Sequence, residues 1–169
     1  AFGQNAQATG PGAVAVGGNA VDENGDPLIV DADGNPVATG ATSAGVGGTA
    51  VGASAQANGF AASAFGVGAY ADGAQSSAFG AVANAIGDFS TAVGTQSLAA
   101  GSSSTAVGES SQATGEESTA VGGATFFGLV PTQASGTGSS SSTVSPSPGS
   151  RKKSSVPAAL PMPRPAALT

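Results

Sequence analysis

Few residues in this chain have the types and spacing that chemistry requires. The sequence has 169 residues with no His and no Cys. Serines are abundant, but a serine nucleophile needs a neighbouring base, and without histidine there is no ordinary triad. The missing cysteines remove disulfides and thiolate metal sites. Glu116-Glu117 could act as an acid pair, yet their place between repeats reads as a turn with two solvated carboxylates. Asp31-Ala32-Asp33-Gly34 has the start of a calcium loop, but the full D-x-D-x-D-G pattern with a distal Glu is absent. A solvated turn is the simpler reading. Gly66-Val67-Gly68-Ala69-Tyr70-Ala71 fits G-x-G-x-x-A, the form of a dinucleotide loop. No strand-turn-helix context surrounds it, and the glycines have another explanation below. We therefore expect no catalytic residue, no cofactor and no metal. Two features could bind rather than react. Tyr70 could anchor a partner, and Arg151-Lys152-Lys153 could touch an anionic surface, although three charges in a floppy tail read as a linker.

Composition narrows the class further. Charged residues make up 8% of the chain and aromatics 5%, against about 25% charge in ordinary domains. Large core-forming side chains are scarce, so a conventional hydrophobic core is not expected. Glycine does not recur at every third position, which excludes a collagen helix. No run of about 18 apolar residues exists, so no helical membrane span is expected. All ten acids lie between Asp22 and Glu117, and all four basic residues follow Ser150. An acidic repeat region argues against nucleic-acid binding.

The organising element is a repeat. Ala-Val-Gly or Ala-Phe-Gly recurs with its glycine at Gly52, Gly66, Gly80, Gly94, Gly108 and Gly122, a step of 14 residues. Midpoint glycines stand at Gly59, Gly73, Gly87, Gly101 and Gly115. A fixed short period predicts a solenoid of stacked coils. Counting each main glycine as zero, one strand is expected around −4 to 0 and another around +3 to +7. Side chains alternate along a strand. Position −2 is always Ala (Ala50, Ala64, Ala78, Ala92, Ala106, Ala120), +5 is always Ala, and +3 is Ala or Ser. This small-residue parity should face inward and bring the two sheets closer than the usual ~10 Å.

The opposite parity should face outward. On the first strand, −1 gives an apolar column of Val51, Phe65, Phe79, Val93, Val107 and Val121. With coils stacked at about 4.8 Å, such a ridge is about 25 Å long, and a monomer should not expose it. We expect it to be the interface of a cyclic homo-oligomer. On the second strand, +4 gives Gln56, Tyr70, Asn84, Leu98 and Gln112, a mostly polar column suited to water and to ligands.

Ser90-Thr91-Ala92-Val93-Gly94-Thr95-Gln96-Ser97-Leu98-Ala99-Ala100-Gly101 and its copies resemble the head repeat of YadA-type trimeric autotransporter adhesins. The likeness covers residues 1–17 and 45–122, and more weakly reaches Gly136. It implies an all-β fold, a left-handed parallel β-roll of 14-residue coils with three chains around a threefold axis. It also implies a Gram-negative cell-surface (outer-membrane) location. The implied partners are two further copies of the chain and a host matrix or cell-surface protein, with no small-molecule substrate. The −1 column then becomes the trimer face, and the +4 column the candidate ligand-facing surface. The family's stalk and membrane anchor are not seen in this chain.

Four segments are expected. Residues 1–17 hold the first coils, with Gly3, Gly10 and Gly17 in pattern. Residues 18–44 form an acidic insert with two turn dipeptides, Asn24-Gly25 and Asp33-Gly34, read as a small hairpin or loop. Residues 45–136 form the main roll. Gly136 lies 14 residues after Gly122 with Ala134 at −2, while Leu129 replaces the midpoint glycine. Residues 137–169 read as a disordered Ser/Pro-rich basic tail. The chain opens within a repeat, which reads as a fragment, and a frame change near Ser139 would account for the tail. Three other readings compete with an adhesin. One is an ice-binding solenoid, drawn from the −3 hydroxyl ladder Thr49, Ser63, Ser77, Thr91, Thr105, Thr119. Another is a purely structural spacer, and the third is a low-complexity chain without fold.

Overall fold

The fold comes from a computed structural model that describes residues 1–31, 33–36, 40, 42–123 and 131–142. The described residues build two parallel eight-stranded sheets. The first has three-residue strands: β2 (Val14–Val16), β4 (Thr49–Val51), β6 (Ser63–Phe65), β8 (Ser77–Phe79), β10 (Thr91–Val93), β12 (Thr105–Val107), β14 (Thr119–Val121) and β16 (Ser140–Ser142). The second has two-residue strands: β1 (Gln7–Ala8), β3 (Ser43–Ala44), β5 (Gln56–Ala57), β7 (Tyr70–Ala71), β9 (Asn84–Ala85), β11 (Leu98–Ala99), β13 (Gln112–Ala113) and β15 (Gln133–Ala134). The chain alternates between the sheets, so each turn of the coil adds one strand to both.

The core is made of methyl groups. Ala50, Ala64, Ala78, Ala92, Ala106 and Ala120 at −2, and Ala57, Ala71, Ala85, Ala99 and Ala113 at +5, are all 0% exposed. Position −4 completes the inner parity with Ala62, Ser76, Ser90, Ser104 and Ser118, equally buried. The hydroxyl of Ser118 donates to the Gly115 carbonyl at 2.7 Å. Those of Ser76, Ser90 and Ser104 have no hydrogen-bond partner.

The strands are shorter than the sequence implies because both ends of each half-coil turn through the same device. The main glycine's carbonyl accepts the +3 N–H (Ala55 to Gly52, 3.2 Å), and the midpoint glycine's carbonyl accepts the N–H three residues on (Ala62 to Gly59, 3.2 Å). The residue before each donor has left-handed backbone: Ser54, Ala61, Gln75, Val82, Phe89, Gln96, Ser103, Ser110 and Glu117 lie between φ 54 and 58. The glycines serve a different need. A Cβ on Gly59 would stand 2.0 Å from the Gly73 carbonyl oxygen, and one on Gly52 would stand 2.5 Å from that of Gly66. Only glycine lets successive coils stack this closely.

The pairing register moves two boundaries. Thr42 accepts the Gln7 N–H (2.9 Å) as Ala69 accepts that of Gln56 (2.8 Å), so the roll resumes at Thr42 rather than at Gly45. At the other side, Gly18 still takes the Ser54 N–H at 2.7 Å and belongs to the roll. An uninterrupted coil needs 3 residues from Gly52 to Ala55, whereas Gly17 to Thr42 takes 25, an excursion of 22. A second excursion was not legible in the spacing. Thr132 accepts the Gln112 N–H at 2.7 Å, which places it at +3, yet it lies 10 residues after Gly122 and so carries 7 extra. Ala134 therefore pairs with Ala113 as a +5 residue, not a −2 residue. Gly136 stacks on the midpoint Gly115 and is not a main glycine. The following strand, β16, pairs in register with β14 and extends the sheet into the segment expected to be tail. Residues 143–169, with the basic cluster, lie outside the described residues.

Candidate functional site

The first excursion is exposed and built from two matching turns. Val21 bridges Pro27 and Val30 bridges Pro36, both antiparallel. Asp22 Oδ1 accepts the N–H groups of Asn24 (2.8 Å) and Asp26 (2.9 Å); Asp31 Oδ1 accepts those of Asp33 (2.9 Å) and Asn35 (2.8 Å). These bonds hold both carboxyls below the ordinary aspartate value, with the Asp26 N–H the largest cause for Asp22 and the Asn35 N–H for Asp31. The single hairpin or loop expected here is thus two successive tight turns. Among the described residues no group of three His, Cys, Asp or Glu is placed to hold a metal ion. Glu116 and Glu117 are exposed on a corner of the coil. The G-x-G-x-x-A stretch runs from a turn into β7.

The structure brings the six −1 residues into one column. Val51, Phe65, Phe79, Val93, Val107 and Val121 are register neighbours along the first sheet. Phe79 is 40% exposed and Val121 45%. The column is longer than the spacing implied. Val16 pairs with Val51 across the 22-residue excursion, and Phe2 bridges Val16, which adds two apolar rungs. At the other end Ser142 takes the position beside Val121, and the apolar column stops. The −3 hydroxyl ladder runs alongside on the same outward face, partly exposed.

The five +4 residues form a second column on the opposite sheet. Gln56, Tyr70, Asn84, Leu98 and Gln112 are consecutive partners, continued by Ser43 on one side and Gln133 on the other. Side-chain amides link rungs here, with Gln133 Nε2 donating to Gln112 Oε1 at 3.0 Å. Asn58 Nδ2 lies 3.4 Å from Asp72 Oδ1 beside Tyr70. Partial burial, with Asp72 close by, pushes the Tyr70 hydroxyl above its ordinary value. All of these side chains are partly exposed on a flat surface.

Two parallel sheets that grow by one strand per turn, around a core of alanine, define a parallel β-solenoid with opposite apolar and polar outer columns. The YadA head domain repeat (2 copies) matches residues 1–20, 57–83, 71–97, 85–108 and 99–125. The matches cover more than half of the chain, successive windows step by one coil, and the unmatched stretch contains the first excursion. The chain belongs to the YadA head domain repeat family, and its role is of the adhesin-head type. No curated protein matches the chain.

Proposed function

We propose that this chain is the adhesive head of a trimeric autotransporter, exposed on a bacterial outer membrane, and that it attaches to host matrix proteins or cell surfaces without catalysis. The observation that carries the reading is the pairing of two continuous columns on opposite sheets. Eight apolar rungs from Phe2 to Val121 line one face, and a ladder of Gln, Tyr, Asn and Leu lines the other. An apolar ridge of this length is unfavourable in water, and cyclic closure of three copies removes it. The polar columns then face outward in three copies, which suits a long fibrous partner better than a small molecule, since the latter needs a concave cavity. Membrane attachment is assigned to an anchor outside this sequence.

The test combines mass and binding. Sedimentation equilibrium should give three times the chain mass, and the trimer should bind immobilised matrix proteins in a solid-phase assay. A folded monomer, or a trimer that binds no matrix protein and no host cell, would overturn the reading. The −3 hydroxyl ladder is the basis for ice binding, but it shares the face assigned to the trimer. A thermal-hysteresis measurement on the same sample separates the two.

A further inference from the structure

The mouth of the 20–41 excursion is closed by two hydroxyls that belong to the roll. Ser54 sits at the corner of the next coil and is 1% exposed. Its Oγ accepts the Ala20 N–H at 2.8 Å, and its own hydroxyl donates to the Gly40 carbonyl. One side chain therefore holds both stems of the excursion. Below it Thr42, also buried, places its hydroxyl 2.6 Å from the Gly52 carbonyl and 3.1 Å from that of Gly18. The equivalent corner residues of the next four coils, Gly68, Val82, Gln96 and Ser110, are not buried. Position +3 is Ala in the three coils after the excursion: Ala55, Ala69 and Ala83. The second excursion leaves from the same corner, after Gly123, and again returns at a buried threonine. The hydroxyl of that residue, Thr132, donates to the Gly123 carbonyl at 3.2 Å.

We propose that Ser54 and Thr42 form a latch that closes the mouth, so that residues 20–41 ride on the roll as a self-contained module. Closing a loop costs chain entropy, and the cost grows only slowly with loop length. A latch that fixes the ends can therefore carry segments of different length without disturbing the coils. The interior of the module supports this division. Its two turns are closed by their own aspartates, and Leu28 N–H reaches back to the Ala20 carbonyl at 2.9 Å, just above the latch. The coils on both sides keep their register across it. Non-repeat segments are thus displayed at one corner of the coil, at a position set by the roll and not by their own sequence.

The test is a double-mutant cycle on the full chain. The variants are Ser54→Ala, a deletion of 20–41 that joins Asn19 to Thr42, and the two together. An endoproteinase that cleaves at Asp reports on the module through Asp22, Asp26, Asp31 and Asp33. Losing both stem bonds should raise its cleavage rate there by about tenfold, with a lower melting temperature. In the deleted chain the stems are gone, so Ser54→Ala should leave the melting temperature unchanged. An equal loss in both backgrounds would make Ser54 a residue of the roll itself. Unchanged cleavage in Ser54→Ala would remove the latch. A deletion that fails to fold would show that the excursion is part of the roll and not a module.

Discussion

The rings of Phe65 and Phe79 stack with centroids 5.1 Å apart and planes 5° from parallel. They sit at the same position of successive coils, and the spacing is set by the ladder beneath them, close to the ~4.8 Å of paired strands. Aromatic pairs left to themselves prefer offset or edge-on contact. This face-to-face arrangement follows from in-register stacking and puts the two largest side chains at the middle of the apolar column.

That location makes them the sharpest test of the subunit face. Phe65→Asp with Phe79→Asp would place two unpaired charges in an apolar seam, at a cost of several kcal/mol. The expected result is monomer or aggregate in sedimentation velocity. A double variant that still sediments as a folded trimer would remove the −1 column from the interface.

The interior tolerates change in one direction only. Ala92 is fully buried between the sheets, and Ala92→Leu should lower stability by about 1–3 kcal/mol through overpacking. Ser90 lies two residues away with its buried hydroxyl unpartnered, while Ala62 fills the same place in another coil. Ser90→Ala should therefore raise stability by about 1 kcal/mol. Thermal melts of the two single variants check both signs, and a less stable Ser90→Ala would mean that its hydroxyl has found a carbonyl, as Ser118 has.

The corners make a third claim. Val82 is β-branched, yet it holds φ 55, a conformation that costs non-glycine residues about 1–2 kcal/mol. Asn tolerates that region by bonding locally. Val82→Asn should raise the melting temperature, with a gain of about 1 kcal/mol. A lower melting temperature would show that the valine side chain is held by contacts worth more than the strain.

Much of this architecture is legible in the sequence, for a physical reason. Where two sheets approach within methyl contact, every inward position must be Ala, Ser or Gly, so Ala50, Ala57 and Gly59 and their copies mark the coil without ambiguity. The corners were not legible, because Val82, Phe89 and Glu117 are not residues that favour left-handed backbone; the ladder bonds impose it, as in Phe89 N–H to Ala74 at 2.8 Å. The second excursion was hidden by a coincidence. Seven extra residues equal half a coil, so Gly136 kept the 14-residue step from Gly122 while changing sheet. The candidate surfaces followed from parity alone, but Phe2 and Val16 could join the column only once pairing across the excursion was known.

The aspartate-closed turns give a pH dependence confined to the first excursion. Folding lowers the carboxyls of Asp22 and Asp31 below their ordinary 3.8. A depressed folded value stabilises the turns at all pH above the unfolded value, and that contribution is lost as pH falls through the folded value. The turns should thus stay closed at neutral pH and loosen only in acid below 3.8. Amide signals of Asn24, Asp26, Asp33 and Asn35 should report this by NMR while those of the roll stay fixed. Asp22→Asn keeps an acceptor but no titration, so its turn should not respond. A response centred above 3.8 would contradict the assignment.

The last prediction concerns how binding is shared out. The +4 column presents a similar flat surface at each rung, and three chains would multiply it. Individually weak contacts then act through effective concentration, which can raise apparent affinity by about 10²–10⁴. Deleting coils in whole units of 14 residues within 52–122 preserves the register of both sheets, so it shortens the surface without breaking the fold. Attachment of coated beads to an immobilised matrix protein should fall gradually with each unit removed. No single alanine substitution at Gln56, Tyr70, Asn84, Leu98 or Gln112 should abolish it. Tyr70, with the carboxylate of Asp72 beside it, is the position where a larger share would be lost if the surface were uneven. Complete loss on changing one of these five residues would mean a discrete receptor site, and avidity along the column would no longer explain adhesion.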